Sequence, residues 1–204
     1  MGGKPEIEFF FDCSSPWTWL AFHNIRPLAR ELHATIDWRP VLVGGIFNAV
    51  NDSVYRFRES GPAAKHAYMA KDLADWARQA GLSLHWPPTV FPVNSVAAMR
   101  LCLVALPLGK LELVAAALFE AYWRDDRDIS QSAVIAEIAT AHGLDPAATG
   151  APEIKQQLRA NTEEVIARGG FGSPTIFVGG DDMYFGNDRL GLVRDAVLRR
   201  RAAP

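Results

Sequence analysis

The sequence predicts an α/β fold in which one sheet, supplied by both ends of the chain, is interrupted by a long helical segment. Three observations carry that expectation. The chain opens on a strand–helix–strand pattern, closes on two short apolar strands and a helix, and is helical in periodicity from about residue 65 to 170. Sheet segments at both ends must meet to share a core. The boundaries therefore fall at 1–45 and 169–204 for the two sheet-bearing parts, with 46–168 as the helical insertion.

Residues 6 to 12, EIEFFFD, read as a buried strand ending in Asp12. A helix follows from 16 to about 32. Ser15 suits its N-cap, and Pro16 falls at the first helical position, where a missing N–H costs nothing. TIDWRPVLV (35–43) is a second strand, with Pro40 marking an edge or a bend because proline cannot donate to a ladder. These elements form a β-α-β unit whose strands are expected to be parallel, with a right-handed crossover. FNAVNDSV then reads as a loop.

In the helical block, KHAYMAKDLADWARQAG sets Tyr68, Leu73, Trp76 and Ala80 on related faces and ends at a glycine of the C-cap kind. Four more helical stretches follow, separated by HWPPTVFP, LPLG, RDDRDIS and GLDPAATGAP. PTIFVGG and DMYFG then form a hairpin around Gly179-Gly180-Asp181-Asp182. The last helix starts at Asn187 or Asp188 as a capping residue.

Composition excludes several function classes. The 204 residues are 49% hydrophobic and 22% charged, which supports a sizeable core and argues against disorder. A net charge of −2 offers no general attraction to nucleic acid or an anionic membrane. Arg199-Arg200-Arg201 reads as dipole-complementing charge at a helix end. Leu111 to Trp123 is the most apolar later stretch, but Glu112 and Glu120 interrupt it, so it is a buried amphipathic helix and not a membrane span. MGGKPEIEFFFD has no apolar stretch of signal-peptide length, and the two cysteines form no C-x-x-C; a reducing cytoplasm is expected. The five histidines have no metal-ligand spacing, no G-x-S-x-G surrounds Ser14 or Ser15, and the glycine pairs lack a dinucleotide-binding context.

Two places could carry chemistry. A helix N-terminus following a strand offers free N–H groups to an anion, so Ser15 either caps its helix or stabilises an anion there. The second is GGFGSPTIFVGG, where Pro174 opens a strand and cannot join its ladder, leaving neighbouring backbone groups of Ser173 free.

These residues bring the chain to a known family. The β-α-β start, helical insertion, Gly-x-Pro-Thr and closing β-β-α resemble the thioredoxin-like superfamily of the DsbA type. Redox members carry a nucleophilic cysteine directly before a proline, with a second thiol nearby. Here the corresponding residues are Ser15-Pro16-Trp17-Thr18, and Cys13 sits two positions early, so the partner thiol of a dithiol cycle is missing. FFFDCSSPWTWLA, RPVLVGGIF, KHAYMAKDLADWA and FGSPTIFVGGDDMYFGNDRL together resemble the 2-hydroxychromene-2-carboxylate isomerases and the kappa-class glutathione transferases.

The resemblance implies a thioredoxin-like fold and a borrowed thiol, that of glutathione bound at the first helix. Ser15 matches the family's serine and would donate to the thiolate. A free thiol has a pKa near about 8.5, which a helix N-terminus and a hydroxyl donor would lower by about one to two units. Ser173 with Pro174 would pair with the cysteinyl portion as an added strand. Asn187 and Asp188 match residues that hold the γ-glutamyl end, a role that stands beside capping. The family's loop asparagine falls on Asn51, unless Asp52 occupies that place. The implied reaction is glutathione-dependent isomerisation of 2-hydroxychromene-2-carboxylate to trans-o-hydroxybenzylidenepyruvate: thiolate addition, ring opening, bond rotation, and elimination of glutathione. Lys65 and Arg189 are candidates for the carboxylate of this small aromatic substrate, and Trp17, Trp19, Phe47 and Trp86 for an aromatic wall. A kappa-like transferase and a non-catalytic thiol-binding module are the rival readings, and family habit suggests a homodimer.

Overall fold

The computed structural model describes residues 6–202. The elements in order are β1 (Ile7–Phe11), α1 (Pro16–Leu32), β2 (Ile36–Pro40), α2 (Val43–Val50), α3 (Ser53–Ser60), α4 (Ala63–Gln79), α5 (Val96–Ala105), α6 (Leu111–Trp123), α7 (Ser132–Ala141), α8 (Pro152–Ala167), β3 (Thr175–Val178), β4 (Asp182–Phe185) and α9 (Leu190–Ala202). The strands form a single sheet in the order β2-β1-β3-β4. β1 runs parallel to β2 and antiparallel to β3, and β3 and β4 make the hairpin. Pro40 sits at the end of an edge strand, where it removes no needed donor.

The period of two in a strand splits the phenylalanine run between the faces of the sheet. Phe9 and Phe11 enter the main core with Trp38, Phe22 and Phe119, while Phe10 turns to the other side against Phe177, Val41, Ile46 and Val165. Edge-to-face contacts at 5.3 Å (Phe9–Trp38) and 5.7 Å (Phe10–Phe177) fix the register on each face. Each buried ring contributes roughly 1.5–3 kcal/mol relative to exposure, so a one-residue slip of β1 would be heavily penalised. On the Phe10 face the carboxylate of Glu8 receives two hydrogen bonds from Arg168, whose guanidinium lies 3.8 Å from the centre of the Phe177 ring.

Helix α1 begins as the sequence predicts, with Ser15 as N-cap and Pro16 in its first turn. α6 keeps the bounds Leu111 to Trp123 and is buried along most of its length, including Leu118, Phe119 and Trp123. Among the described residues no helix is long and apolar enough to cross a membrane.

Three local expectations need correction. The segment read as a loop is helical: α2 and α3 occupy it, broken only at Asn51-Asp52. Two glycines and β-branched valines hide α2 in the sequence, but the Asp12 carboxylate accepts from the Val43 N–H at 2.8 Å and Ile46 is buried, so tertiary contacts override propensity. On α4, Leu73 and Ala77 are buried while Tyr68 is 64% exposed and lies off the packed face. Neither Asn187 nor Asp188 caps the last helix: Asn187 Oδ1 accepts from Asn24, Asp188 pairs with Arg189, and both sit in a 3₁₀ turn before α9. The terminal arginines lie in the last turn of α9, as expected, and two of them also reach beyond it. Arg201 donates to the Leu32 and His33 carbonyls that end α1 and to Glu6, and Arg200 pairs with Asp181 of the hairpin.

Candidate active site at the first helix N-terminus

β1, α1 and the segment before β3 meet at Ser15. The Ser15 backbone is extended (φ −109°, ψ 123°), and its Oγ accepts from the Thr18 N–H at 3.3 Å and donates to the Ser173 carbonyl at 3.2 Å. Both contacts are long and the residue is half-buried, so the hydroxyl can reorient toward an incoming anion. The first turn of α1 has no acidic residue, and its positive end faces no side-chain carboxylate of its own helix.

Ser173 is built in more tightly than a free backbone segment. It is buried, its Oγ accepts from the Asp12 N–H at 2.9 Å and lies 2.8 Å from Thr18 Oγ1, and the Ser173–Pro174 peptide bond is cis. Asp12 is fully buried beneath this junction. Burial pushes its carboxyl pKa up, against three donors: the Ser14 and Val43 N–H groups and the Ser95 hydroxyl. Asp12 thus joins β1, α2 and the start of α5 under the site. Cys13 is wholly buried beside it, its carbonyl takes the Trp123 indole N–H at 2.8 Å, and burial pushes its thiol pKa up, so it is no nucleophile.

Two clefts flank Ser15. The first, about 300 Å³, lies between α1, α4 and the turn before α9, with Trp17, Trp76, Pro174, Phe185, Asn187 and Asp188 among its lining residues. Asn187 is 4% exposed, and its Nδ2 has no hydrogen-bond partner among the described residues. A buried amide left unpaired costs free energy unless a ligand satisfies it. The second cleft, about 240 Å³, runs over Asp12 and Ser14 between α2, α3 and residues 92–96. Ser15 itself lines neither; its neighbour Ser14 belongs to the second, and Trp17, Ser173 and Pro174 belong to the first. A larger depression of about 520 Å³ near the C-terminal half of α1, between Arg26, His33 and Glu112, is remote from this chemistry.

The structure brings Ser15, Trp17, Ser173, Pro174, Asn187 and Asp188 to one locus and leaves Lys65 out. Lys65 is exposed at the start of α4 and lines neither cleft. Asn51 donates to the Phe171 carbonyl at 3.0 Å, bracing the irregular segment that leads to Ser173, whereas Asp52 is exposed and paired with Arg56. Trp19 is core, and Trp86 stacks on Trp123 at 5.9 Å; Phe47 lines the second cleft. Arg189 lines the first cleft but is paired with Asp188. Residues given no site role from the sequence include Asp72 and Trp76, one turn apart on α4 in the first cleft, and Tyr55, Arg58, Asn94 and Ser95 in the second. The four-residue spacing of Asp72 and Trp76 was a usable signal. Among the described residues no group of three or more His, Cys, Asp or Glu side chains is placed to hold a metal.

Comparison with known proteins places the chain among relatives. A family profile described as DSBA-like thioredoxin domain matches residues 6–198. Glutathione S-transferase kappa 1 of Homo sapiens is 29% identical over 224 residues, covering 100% of this chain and 96% of its own. The 2-hydroxychromene-2-carboxylate isomerase of Pseudomonas putida is 27% identical, covering 95% of this chain and 94% of its own. A solved structure of a 2-hydroxychromene-2-carboxylate isomerase superposes with a TM-score of 0.80 at 24% identity, over 95% of each chain, which speaks for the fold.

Proposed function

The chain belongs to the DSBA-like thioredoxin domain family, and on that premise we propose that it is a glutathione-dependent isomerase interconverting 2-hydroxychromene-2-carboxylate and trans-o-hydroxybenzylidenepyruvate. The observation that carries the reading is the acid-free N-terminus of α1, with the Ser15 hydroxyl at its cap and an unpartnered Asn187 amide in the adjoining cleft. These residues fit a peptide thiol: a donor for the thiolate, a buried amide for a polar end group, and aromatic walls at Trp17 and Trp76. Bound glutathione would supply the nucleophile that the chain lacks.

The chain's own contribution is then positional and electrostatic. Ser15 donates to the sulfur in place of the Ser173 carbonyl, and the α1 dipole favours the anion. Asn187 and Asp188 hold the γ-glutamyl end, and Ser173 and Pro174 border the cysteinyl portion. Asn51 keeps the 171–173 segment before β3 in place through Phe171. The second cleft, on the far side of Ser15, receives the aromatic carboxylate. A reducing cytoplasmic setting and a homodimer belong to the same proposal, supported by two free buried cysteines and by exposed Leu108 and Leu113.

A kappa-like transferase is the second reading, favoured by the 29% identity to a kappa-class relative. The two readings share the thiolate site and part at the second cleft. The test is the absorbance change of 2-hydroxychromene-2-carboxylate with purified protein, with and without glutathione. Glutathione-dependent conversion supports the isomerase; conjugation of an electrophile without isomerisation selects the transferase.

A further inference from the structure

We infer that Arg58, on α3, is the specificity-determining residue that receives the carboxylate of the second substrate. The inference rests on the proposed reading of Ser15 as the reaction centre. α3 spans Ser53–Ser60 and gives no buried residue to the core, so its side chains are not committed to packing. It is tethered at its rims instead: Tyr55 donates to Asn48 Oδ1 at 2.8 Å, and the Phe57 ring meets His66 edge to face at 4.7 Å.

Arg58 lines the second cleft. Its guanidinium lies 5.2 Å from the Phe91 ring centre and 5.8 Å from that of Phe47, and among the described residues it forms no hydrogen bond or ion pair with a side chain. The other arginine of this helix, Arg56, is held by Asp52 and lines neither cleft. The one carboxylate in the cleft floor, Asp12, is already saturated by Ser14, Val43 and Ser95. An unpaired cation between two aromatic rings, beside Ser14 and the Ser15 cap, fits a planar aromatic carboxylate. The guanidinium takes both oxygens as a fork while the rings contact the aromatic face. The alternatives fall short: Lys65 lines neither cleft, and Arg189 lies in the other cleft paired with Asp188.

The test is calorimetric binding of trans-cinnamate and of cinnamamide, its uncharged analogue, to the wild-type chain, Arg58→Gln and Arg58→Lys. The wild type should prefer the carboxylate by about tenfold or more, as expected for a hydrogen-bonded charge. Arg58→Gln should erase that preference, and Arg58→Lys should keep part of it. Absence of carboxylate binding to the wild type, or an unchanged preference in Arg58→Gln, overturns the inference. Kinetics separate it from the function it rests on. If the wild type isomerises, Arg58→Gln should raise KM for 2-hydroxychromene-2-carboxylate about tenfold or more while glutathione affinity stays put. If the wild type does not isomerise yet Arg58 still governs cinnamate binding, the reaction assignment fails and the carboxylate site stands.

Discussion

Replacing Ser15 by alanine separates a cap from a thiolate donor. The Oγ makes two contacts, at 3.3 Å from the Thr18 N–H and 3.2 Å to the Ser173 carbonyl, both at the long end of hydrogen bonding. Loss of an N-cap typically costs about 1 kcal/mol, and these lengths place Ser15→Ala in the lower part, about 0.5–1 kcal/mol. A hydroxyl donating to a charged sulfur stabilises it by about 1.5–3 kcal/mol, or roughly ten- to hundredfold in rate. The variant should therefore unfold in urea almost as the wild type does. Its glutathione-dependent kcat/KM on 2-hydroxychromene-2-carboxylate should fall ten- to hundredfold, on the order of the hydrogen bond lost. A small activity loss with a large stability loss would reverse the assignment and leave Ser15 as a cap alone.

Asn187→Ala removes a buried amide whose Nδ2 has no protein partner and whose Oδ1 takes one long bond from Asn24, so stability should fall by about 1 kcal/mol while the glutathione Kd rises about fivefold or more by calorimetry. Asp12→Asn puts an NH₂ against a backbone N–H, at either Ser14 or Val43, and should cost about 1–3 kcal/mol in urea unfolding. That cost should shrink as pH rises. The Asp12 pKa is raised in the fold, so its stabilising contribution is full below the ordinary value of 3.8 and is lost as pH climbs through the folded value. A cost that grows with pH would contradict the burial argument. Arg168→Ala breaks the paired hydrogen bonds to Glu8 and uncovers Phe177; with both side chains about a fifth exposed, the expected loss is about 2 kcal/mol, without effect on glutathione binding.

Much of this architecture was written locally. A strand of three phenylalanines, a Ser-Pro helix start and a glycine-rich hairpin each carry their own signal, and β1, α1, β3 and β4 appear where those signals fall. The bounds of α6 were legible because apolar residues continue through two glutamates without a breaker. α2 and α3 were not, because what folds them lies elsewhere in the chain: Asp12 holds the first N–H of α2, and α3 has no core-facing residues to create a period. The first cleft was largely readable, since Trp17, Ser173, Pro174 and Asn187 stand in short motifs. The second cleft was hidden because residues 12, 47, 58 and 94 meet only after folding, and a lone arginine on an exposed helix has no sequence signature. The capping role expected of Asn187 and Asp188 failed for a related reason, since their partners Asn24 and Arg189 are set by the turn before α9.

The central claim is that the N-terminus of α1 holds a thiol as its anion. The measurement that reaches it most directly is a pH titration of the ultraviolet thiolate absorption of glutathione bound to the protein, set against free glutathione and against the Ser15→Ala variant. The account predicts a midpoint about one to two units below the free-thiol value near 8.5, with about one unit of that shift lost in Ser15→Ala. A bound thiol that titrates at the free value, in wild type and variant alike, would contradict it.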